Sequence, residues 1–169
     1  LSTPEGEPIG AIYGIASILL KALRDIKPDY IAAAFDRPEP TFRKEIYEEY
    51  KAHRPHTANE LISQLIKAHE TFEKFGIKVV EKAGFEADDI VGTLAEKFKR
   101  SPELAEGRTV IFSGDKDNLQ LVDDKVFVEL LRTGVSKTVT YDKALFLQDY
   151  GFAPEQLVDF KALVGDASD

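Results

Sequence analysis

Short apolar runs alternate with segments of helical periodicity along the whole chain, and this alternation constrains the fold most. Tyr30 to Phe35 and Thr109 to Phe112 are apolar without alternation, as is typical of parallel strands buried on both faces. Lys125 to Leu131 and Lys137 to Tyr141 bracket a polar turn, which predicts a hairpin. The pattern predicts an α/β fold of three layers, with a mainly parallel central sheet, helices on both faces and an antiparallel edge.

The composition limits the domain count and the kinds of site available. With 169 residues, 43% of them hydrophobic, the chain is long enough for one domain with one core. It has no cysteine and three histidines, so a bound metal would have oxygen ligands. No apolar run reaches the roughly 18 residues of a membrane span, and no signal segment is present, which predicts a cytoplasmic protein. The absence of methionine, even at position 1, predicts that the chain is a piece of a longer protein.

Carboxylates lie at the beginnings or ends of predicted elements at four places. They are Asp36 after a strand, Glu86, Asp88 and Asp89 at the start of a helix, Asp115 and Asp117 after a strand, and Asp166 and Asp169 after a helix that ends at Gly165. Because the carboxyl ends of parallel strands meet at one edge of a sheet, these side chains are expected to converge there. Each of them is also an ordinary residue for a helix cap or a turn, so a purely structural role remains a second interpretation.

The charge of these carboxylates favours the binding of divalent metal ions. The net charge is −8, and the eight carboxylates equal that excess in number. Like charges in one cleft would raise each other's pKa values and destabilise the fold unless cations neutralised them. Mg²⁺ or Mn²⁺ prefer such oxygen ligands, and two ions about 3.5 to 4 Å apart can activate water and stabilise a phosphate in a displacement reaction. No motif for acyl transfer, redox or P-loop chemistry is present.

Residues 37–59 differ in kind from the rest of the chain, with prolines at their borders and little apolar content. Cationic and tyrosine side chains recur there at helical spacing, while most glutamates fall on the other side. The first set comprises Arg43, Tyr47, Tyr50, Lys51 and Arg54. One interpretation is a solvated helix stabilised by intrahelical ion pairs. The other is a mobile nucleic-acid face, with cations for phosphates and rings for unpaired bases.

Five segments together resemble the successive motifs of the structure-specific 5′ nucleases, the flap endonuclease family that includes the 5′-3′ exonuclease domain of bacterial DNA polymerase I. They are Ala34 to Asp36, Phe42 to Arg54, Phe85 to Asp89, Ser113 to Asp117 and Gly165 to Asp169. The resemblance spans nearly the whole chain, in the family's order. It implies a PIN-like fold over 1–169 and a Mg²⁺-dependent enzyme that hydrolyses flap, nicked or 5′-overhang DNA in replication and repair.

The resemblance also implies roles for particular residues. The eight carboxylates named above would be metal ligands, and Asp36 and Asp115 among them would be catalytic. Lys51 and Arg54 would also be catalytic: they would belong to an arch or clamp over the single strand and help to hold the scissile phosphate. Tyr47 and Tyr50 would support or stack on the unpaired end, and Arg43 would contact phosphate or brace the arch.

At both ends the chain departs from the family pattern. Family members begin with a strand that carries a metal-binding aspartate, and they continue beyond the last motif into a helix-hairpin-helix region that grips duplex DNA. Neither is present here, so an isolated fragment is expected to be weakly active or inactive, and a polymerase domain is expected in the parent chain. A PIN-like ribonuclease and a binding module without catalytic activity are the alternative functions.

Overall fold

The computed structural model of the chain describes residues 1–6, 8–52, 58–102, 106–132 and 137–165. They form six α-helices, five strands and two 3₁₀ helices, which fall into two compact units, Leu1–Ala87 and Asp88–Asp169. The helices are α1 Gly10–Ile26, α2 Phe42–Ile46, α3 Asn59–Lys74, α4 Ala87–Lys99, α5 Lys143–Tyr150 and α6 Leu157–Val164. The strands are β1 Ala32–Ala34, β2 Lys78–Val80, β3 Thr109–Ser113, β4 Val126–Leu131 and β5 Thr138–Tyr141. The 3₁₀ helices are Lys116–Leu121 and Pro154–Gln156.

The first unit consists of two packed helices and a short parallel sheet. Strand β1 pairs with β2 in register from Ala32 opposite Lys78 to Ala34 opposite Val80. Helix α1 packs on α3, because both carry an apolar stripe at helical spacing. Gln64 on α3 is buried, and its Oε1 accepts a hydrogen bond from the amide of Ala11 at 2.9 Å, which satisfies a donor in the first turn of α1. The chain then leaves β1 toward Asp36, so this sheet sets the position of that carboxylate.

The second unit holds the larger hydrophobic core around a three-stranded sheet. Strand β3 pairs with β4 in parallel and β4 with β5 in antiparallel orientation, which confirms the predicted hairpin at the edge of a parallel pair. Helix α5 begins after Asp142, whose side chain accepts a hydrogen bond from the amide of Leu145, and ends at Gly151. The largest fully buried side chains of the core cluster come from distant parts of the unit: Leu119, Val126, Val128 and Phe146.

The α/β class is confirmed, and one feature of the sheet differs from the prediction. The described strands form two sheets, one in each unit, where the apolar runs had predicted one. Strands β1 and β2 are only three residues long, and their backbone groups hydrogen-bond to each other in a short parallel ladder. The apolar runs predict strands, but they do not determine which strands pair.

No helix among the described residues combines the length and the apolar character needed to cross a membrane.

Tyr141 links β5 to α5 by hydrogen bonds. Ionisation of its hydroxyl is expected to lower the stability of the fold at high pH. Its hydroxyl donates to Asp149 Oδ2 at 2.8 Å and accepts from Arg132 Nη2 at 3.2 Å. Burial, together with the hydrogen bond to Asp149, raises the pKa of Tyr141 to about 12. Tyrosine in an unfolded chain ionises near pH ~10, so the stabilising contribution is complete below that pH and is lost as the pH rises through about 12.

We expect Tyr141→Phe to make the fall in unfolding free energy between pH ~10 and ~12 shallower, because the variant has no hydroxyl to ionise. Urea unfolding followed by circular dichroism at several pH values measures this. Tyr30→Phe, at a site that is 78% exposed, is the matched control and should leave the fall unchanged. An identical decline in wild type and Tyr141→Phe would contradict the assignment.

Candidate functional site

Asp36 lies two residues beyond β1 and caps a helix that is distant in sequence. Its Oδ1 accepts a hydrogen bond from the amide of Ala87, the first residue of α4, at 2.6 Å. A negative charge at a helix N-terminus is stabilised by the unpaired amides and the helix dipole. A carboxylate has several acceptor positions, so this bond leaves Asp36 with capacity for a cation.

Glu86, directly before α4, is the centre of a charged cluster in the first unit. Lys51 Nζ donates to its Oε1 at 2.9 Å, and the Tyr50 hydroxyl donates to its Oε2 at 3.2 Å. Arg43 Nη1 forms an ion pair with Oε2 at 3.8 Å. The side chain of Glu86 is only 15% exposed, so these partners act where water screens the charges less than at the open surface. The structure therefore brings together three of the residues predicted to bind DNA around one of the carboxylates predicted to bind metal.

The cluster around Glu86 affects the pKa values of Tyr50 and Lys51, and Lys51 has an unusual backbone conformation there. Burial opposes the charge of Lys51, but the hydrogen bond and the negative charge of Glu86 outweigh it and raise the pKa of Lys51. Burial raises the pKa of the Tyr50 hydroxyl as well. Lys51 has a φ of 55°, a left-handed conformation that is unfavourable for a residue with a side chain. Backbone strain of this kind occurs preferentially at functional sites, which supports a functional role for Lys51.

The segment around these residues is less helical than the spacing predicted. Helix α2 ends at Ile46, and Tyr47 is in an extended conformation. Helix α2 buries no residue, and a helix that short is not stable without a packed face. Tyr47 is 58% exposed and donates to Glu49, so it does not join the cluster around Glu86. Arg54 lies outside the described residues.

In the second unit, Asn118 connects the start of α4 to the loop after β3. Its Nδ2 donates to Asp88 Oδ1 at 3.0 Å and to Ser113 Oγ at 3.1 Å. Ser113 Oγ also accepts a hydrogen bond from the amide of Asp115. Asn118 is 2% exposed, and a buried amide of this kind is stable only when it is hydrogen bonded. Asp88 and the loop that carries Asp115 are therefore held near each other, as expected from the sequence.

Asp115 and Asp117 have different partners. Asp115 Oδ1 accepts a hydrogen bond from the amide of Asp117 at 2.8 Å and so caps the 3₁₀ helix Lys116–Leu121. Asp117 is paired with the ammonium of Lys161 from α6, which lies 44 residues further along the chain.

The eight predicted ligands are distributed over both units. Asp36 and Glu86 belong to the first unit, and Asp88, Asp89, Asp115 and Asp117 to the second, with Asp88 and Asp89 in the first turn of α4. Asp166 and Asp169 lie outside the described residues. Within the described part of the chain, no group of three or more His, Asp or Glu side chains is arranged to hold a metal ion.

The donor chemistry nevertheless fits a hard divalent cation. All of the candidate ligands are carboxylates, which are the groups that Mg²⁺ and Mn²⁺ prefer. Two of them, Glu86 and Asp117, already contact a lysine ammonium in the structure. Each of these positions thus attracts positive charge, as a metal ligand must.

Three residues of this region were not among the predicted site residues: Ser113, Asn118 and Lys161. Two signals in the sequence could have identified Asn118 and Lys161. Asn118 is an amide next to a D-x-D pair, directly before an apolar stretch that buries it. Lys161 is the only cation in the largely apolar helix Leu157–Val164.

Comparison with known proteins gives consistent matches. The family model described as the 5′-3′ exonuclease, N-terminal resolvase-like domain, matches residues 1–151. DNA polymerase I of Caldicellulosiruptor bescii is 41% identical over 171 residues, which cover 100% of this chain and 20% of that protein. The 5′-3′ exonuclease of Bacillus subtilis is 36% identical over 97% of this chain and 54% of its own length. The chain thus spans about a fifth of the polymerase and about half of the exonuclease.

Among solved structures, T5 5′-exonuclease with bound divalent metal ions (zinc) matches 96% of this chain and 61% of its own chain, with a TM-score of 0.69 and 20% sequence identity. At that identity the likeness shows the fold alone, and it supports the PIN-like fold that the motifs implied. The family match covers far more than half of the sequence and includes the Glu86 and Asp115 motifs. The chain therefore belongs to the family of 5′-3′ exonuclease N-terminal resolvase-like domains.

Proposed function

We propose that this protein is a metal-dependent 5′ nuclease that hydrolyses DNA phosphodiesters at junctions of single-stranded and duplex DNA, as a 5′-3′ exonuclease and flap endonuclease. The observation that carries the proposal is the match of residues 1–151 to the 5′-3′ exonuclease domain family. The cluster of cations and a tyrosine around Glu86 supports it, because phosphodiester hydrolysis needs positive charge beside the reacting phosphate.

The metal ligands in this proposal are carboxylates of both units. Asp36, Glu86, Asp88, Asp89, Asp115, Asp117, Asp166 and Asp169 are the candidates. Their all-oxygen chemistry favours Mg²⁺ or Mn²⁺, and their number is sufficient for two ions. When bound, such ions supply the positive charge that stabilises a phosphate undergoing displacement and that activates water.

The basic residues of the first unit bind and orient the DNA. Lys51 and Arg54 hold the scissile phosphate, and Arg43 contacts a phosphate or braces the segment. The raised pKa of Lys51 keeps its ammonium charged throughout the neutral range. Tyr50 has a hydroxyl bound to Glu86, which orients its ring, and it forms the stacking surface for the unpaired end together with Tyr47.

We also propose roles for the whole chain, for one segment of it and for the parent protein. Residues 1–169 constitute the nuclease catalytic domain, and residues 37–59 form its mobile arch. The parent protein carries a polymerase domain, in keeping with the name and length of its C. bescii relative. Flap, nicked and 5′-overhang duplexes are the DNA substrates.

The proposal is tested by incubating the protein, in molar excess, with a 5′-flap DNA labelled at its 5′ end. We expect a short labelled product in Mg²⁺ or Mn²⁺ and none in the presence of a chelator, because the carboxylates need a divalent ion to act on phosphate. Excess enzyme makes even a slow single turnover visible on a denaturing gel. Titration calorimetry with Mn²⁺ measures metal binding independently of cleavage.

Single-stranded RNA of the same sequence, digested in parallel, is the control for a PIN-like ribonuclease and should remain largely uncut. Faster cleavage of RNA than of flap DNA would contradict the proposed substrate. Absence of both cleavage and Mn²⁺ binding in the millimolar range would contradict the enzyme assignment and favour a binding module whose carboxylates only cap helices.

A further inference from the structure

Two phenylalanines near Glu86 hold the start of α2 against the loop between β2 and α4. The amide of Phe42 donates to the carbonyl oxygen of Gly84 at 3.0 Å, and the rings of Phe42 and Phe85 lie 5.6 Å apart at 51°. Gly84 has a φ of 81°, which glycine adopts without steric cost, and this conformation forms the bend before Phe85. The amide of Phe85 donates to the carbonyl oxygen of Lys82, so the loop folds back on itself. Both rings are thereby fixed in position.

These rings remain partly exposed, and each has a cation over its face. Phe42 is 36% and Phe85 39% exposed. The guanidinium carbon of Arg43 lies 4.7 Å from the centroid of Phe42, and Lys82 Nζ lies 4.8 Å from the centroid of Phe85. We refer to Phe42, Arg43, Lys82 and Phe85 as the aromatic–cation cluster. Cation–π attraction keeps both charged groups near the rings without removing them from solvent.

The chemistry of this cluster matches an unpaired nucleotide better than an apolar partner. Exposed rings offer a surface on which any base can stack, and adjacent cations bind the phosphates on either side of that base. A surface for an apolar peptide would instead exclude charge from its centre. The cluster is also next to the proposed reaction site, since Phe85 precedes Glu86 and Arg43 lies 3.8 Å from the Glu86 carboxylate. Its position therefore suits a nucleotide close to the scissile phosphate.

We propose that the aromatic–cation cluster is a binding subsite for one unpaired nucleotide of single-stranded DNA. The base stacks on Phe85 and Phe42, and Lys82 and Arg43 bind the flanking phosphates. Neither phenylalanine offers a hydrogen-bonding group, so the subsite accepts any base. This inference deepens the proposed function and rests on it for the choice of DNA as the ligand. It adds Phe42, Lys82 and Phe85 to the residues that contact the substrate.

The test measures binding of the protein to fluorescein-labelled decathymidylate by anisotropy, with a chelator present so that neither metal nor cleavage contributes. Phe85→Leu keeps an apolar side chain against Phe42 but removes the stacking ring, so we expect the Kd to rise about ten-fold. Phe85→Tyr restores a ring and should bind nearly as tightly as wild type. Phe75→Leu, at an exposed phenylalanine elsewhere in the first unit, is the matched control and should leave the Kd unchanged.

Lys82→Gln provides a second test that does not disturb the packing of the rings, because Lys82 is exposed. We expect the slope of log Kd against log salt concentration to decrease by about 0.7, the value for one lost phosphate contact on a single strand. Lys78→Gln, at an exposed lysine in β2, is the matched control. An unchanged slope in Lys82→Gln, or an unchanged Kd in a folded Phe85→Leu, would overturn the inference.

Failure of the subsite and failure of the proposed function give different results. If the wild type cleaves flap DNA but Phe85→Leu binds decathymidylate normally, the subsite is wrong and the nuclease assignment stands. If the wild type binds decathymidylate through Phe85 but shows neither cleavage nor Mn²⁺ binding in the millimolar range, the subsite stands and the nuclease assignment is wrong. Absence of any binding by the wild type would overturn the subsite.

Discussion

Replacing Asp115 by asparagine is expected to lower the rate of flap cleavage at least about 100-fold, because the interactions of a catalytic cation contribute several kcal/mol. Asparagine caps helices about as well as aspartate does, so the hydrogen bond from the amide of Asp117 to residue 115 is retained. What the variant loses is the negative charge. Single-turnover cleavage in Mg²⁺ measures the effect, while circular dichroism and DNA binding in a chelator should match wild type.

Asp142→Asn is the matched control for this experiment. Asp142 caps α5 through a hydrogen bond from the amide of Leu145 at 2.8 Å, the same kind of contact that Asp115 makes. This substitution should leave cleavage unchanged. Wild-type activity in Asp115→Asn would show that Asp115 is only a cap, and equal losses in both variants would attribute the effect to capping and stability instead of metal binding.

Replacing Phe146 by alanine is expected to lower the unfolding free energy by about 3 to 5 kcal/mol. Phe146 is completely buried in the core of the second unit, where its ring stacks on Tyr150 with centroids 4.4 Å apart and meets Phe152 edge to face at 5.7 Å. Alanine would leave a cavity in this aromatic group and remove its contacts. Urea unfolding monitored by circular dichroism measures the change.

Leu147→Ala, at the next position of α5, is the control for helix propensity and side-chain size. Leu147 is 55% exposed, so its truncation should change the unfolding free energy by roughly 0.5 kcal/mol or less. A loss below about 1 kcal/mol in Phe146→Ala would contradict the central place of this ring in the core.

The carboxylates illustrate why capping and metal binding are not exclusive explanations. Asp36 caps α4 and Asp115 caps a 3₁₀ helix, as the structural interpretation of the sequence anticipated. Glu86 and Asp117 each have a lysine ammonium as a partner. A capping carboxylate keeps lone pairs for a cation, because its backbone bond uses only part of its acceptor capacity. The asparagine substitution separates the two roles for this reason.

The segment from Arg43 to Lys51 shows that helical spacing alone does not establish a helix. Arg43, Tyr50 and Lys51 were selected because they recur at helical intervals, but α2 ends at Ile46. They nevertheless meet at Glu86, through turns and a left-handed residue at Lys51. The residue types were selected from local spacing, whereas the conformation that assembles them depends on a carboxylate more than 30 residues away.

The sequence by itself determined where these strands lie. Apolar runs located β1, β3 and the hairpin of β4 and β5, because burial of a strand depends on residues only a few positions apart. Only the tertiary structure decided the partners: Asp36 with Ala87, Glu86 with Lys51, and Asp117 with Lys161. A charged side chain pairs with whatever packing brings within a few ångströms, and that proximity is not encoded in local spacing.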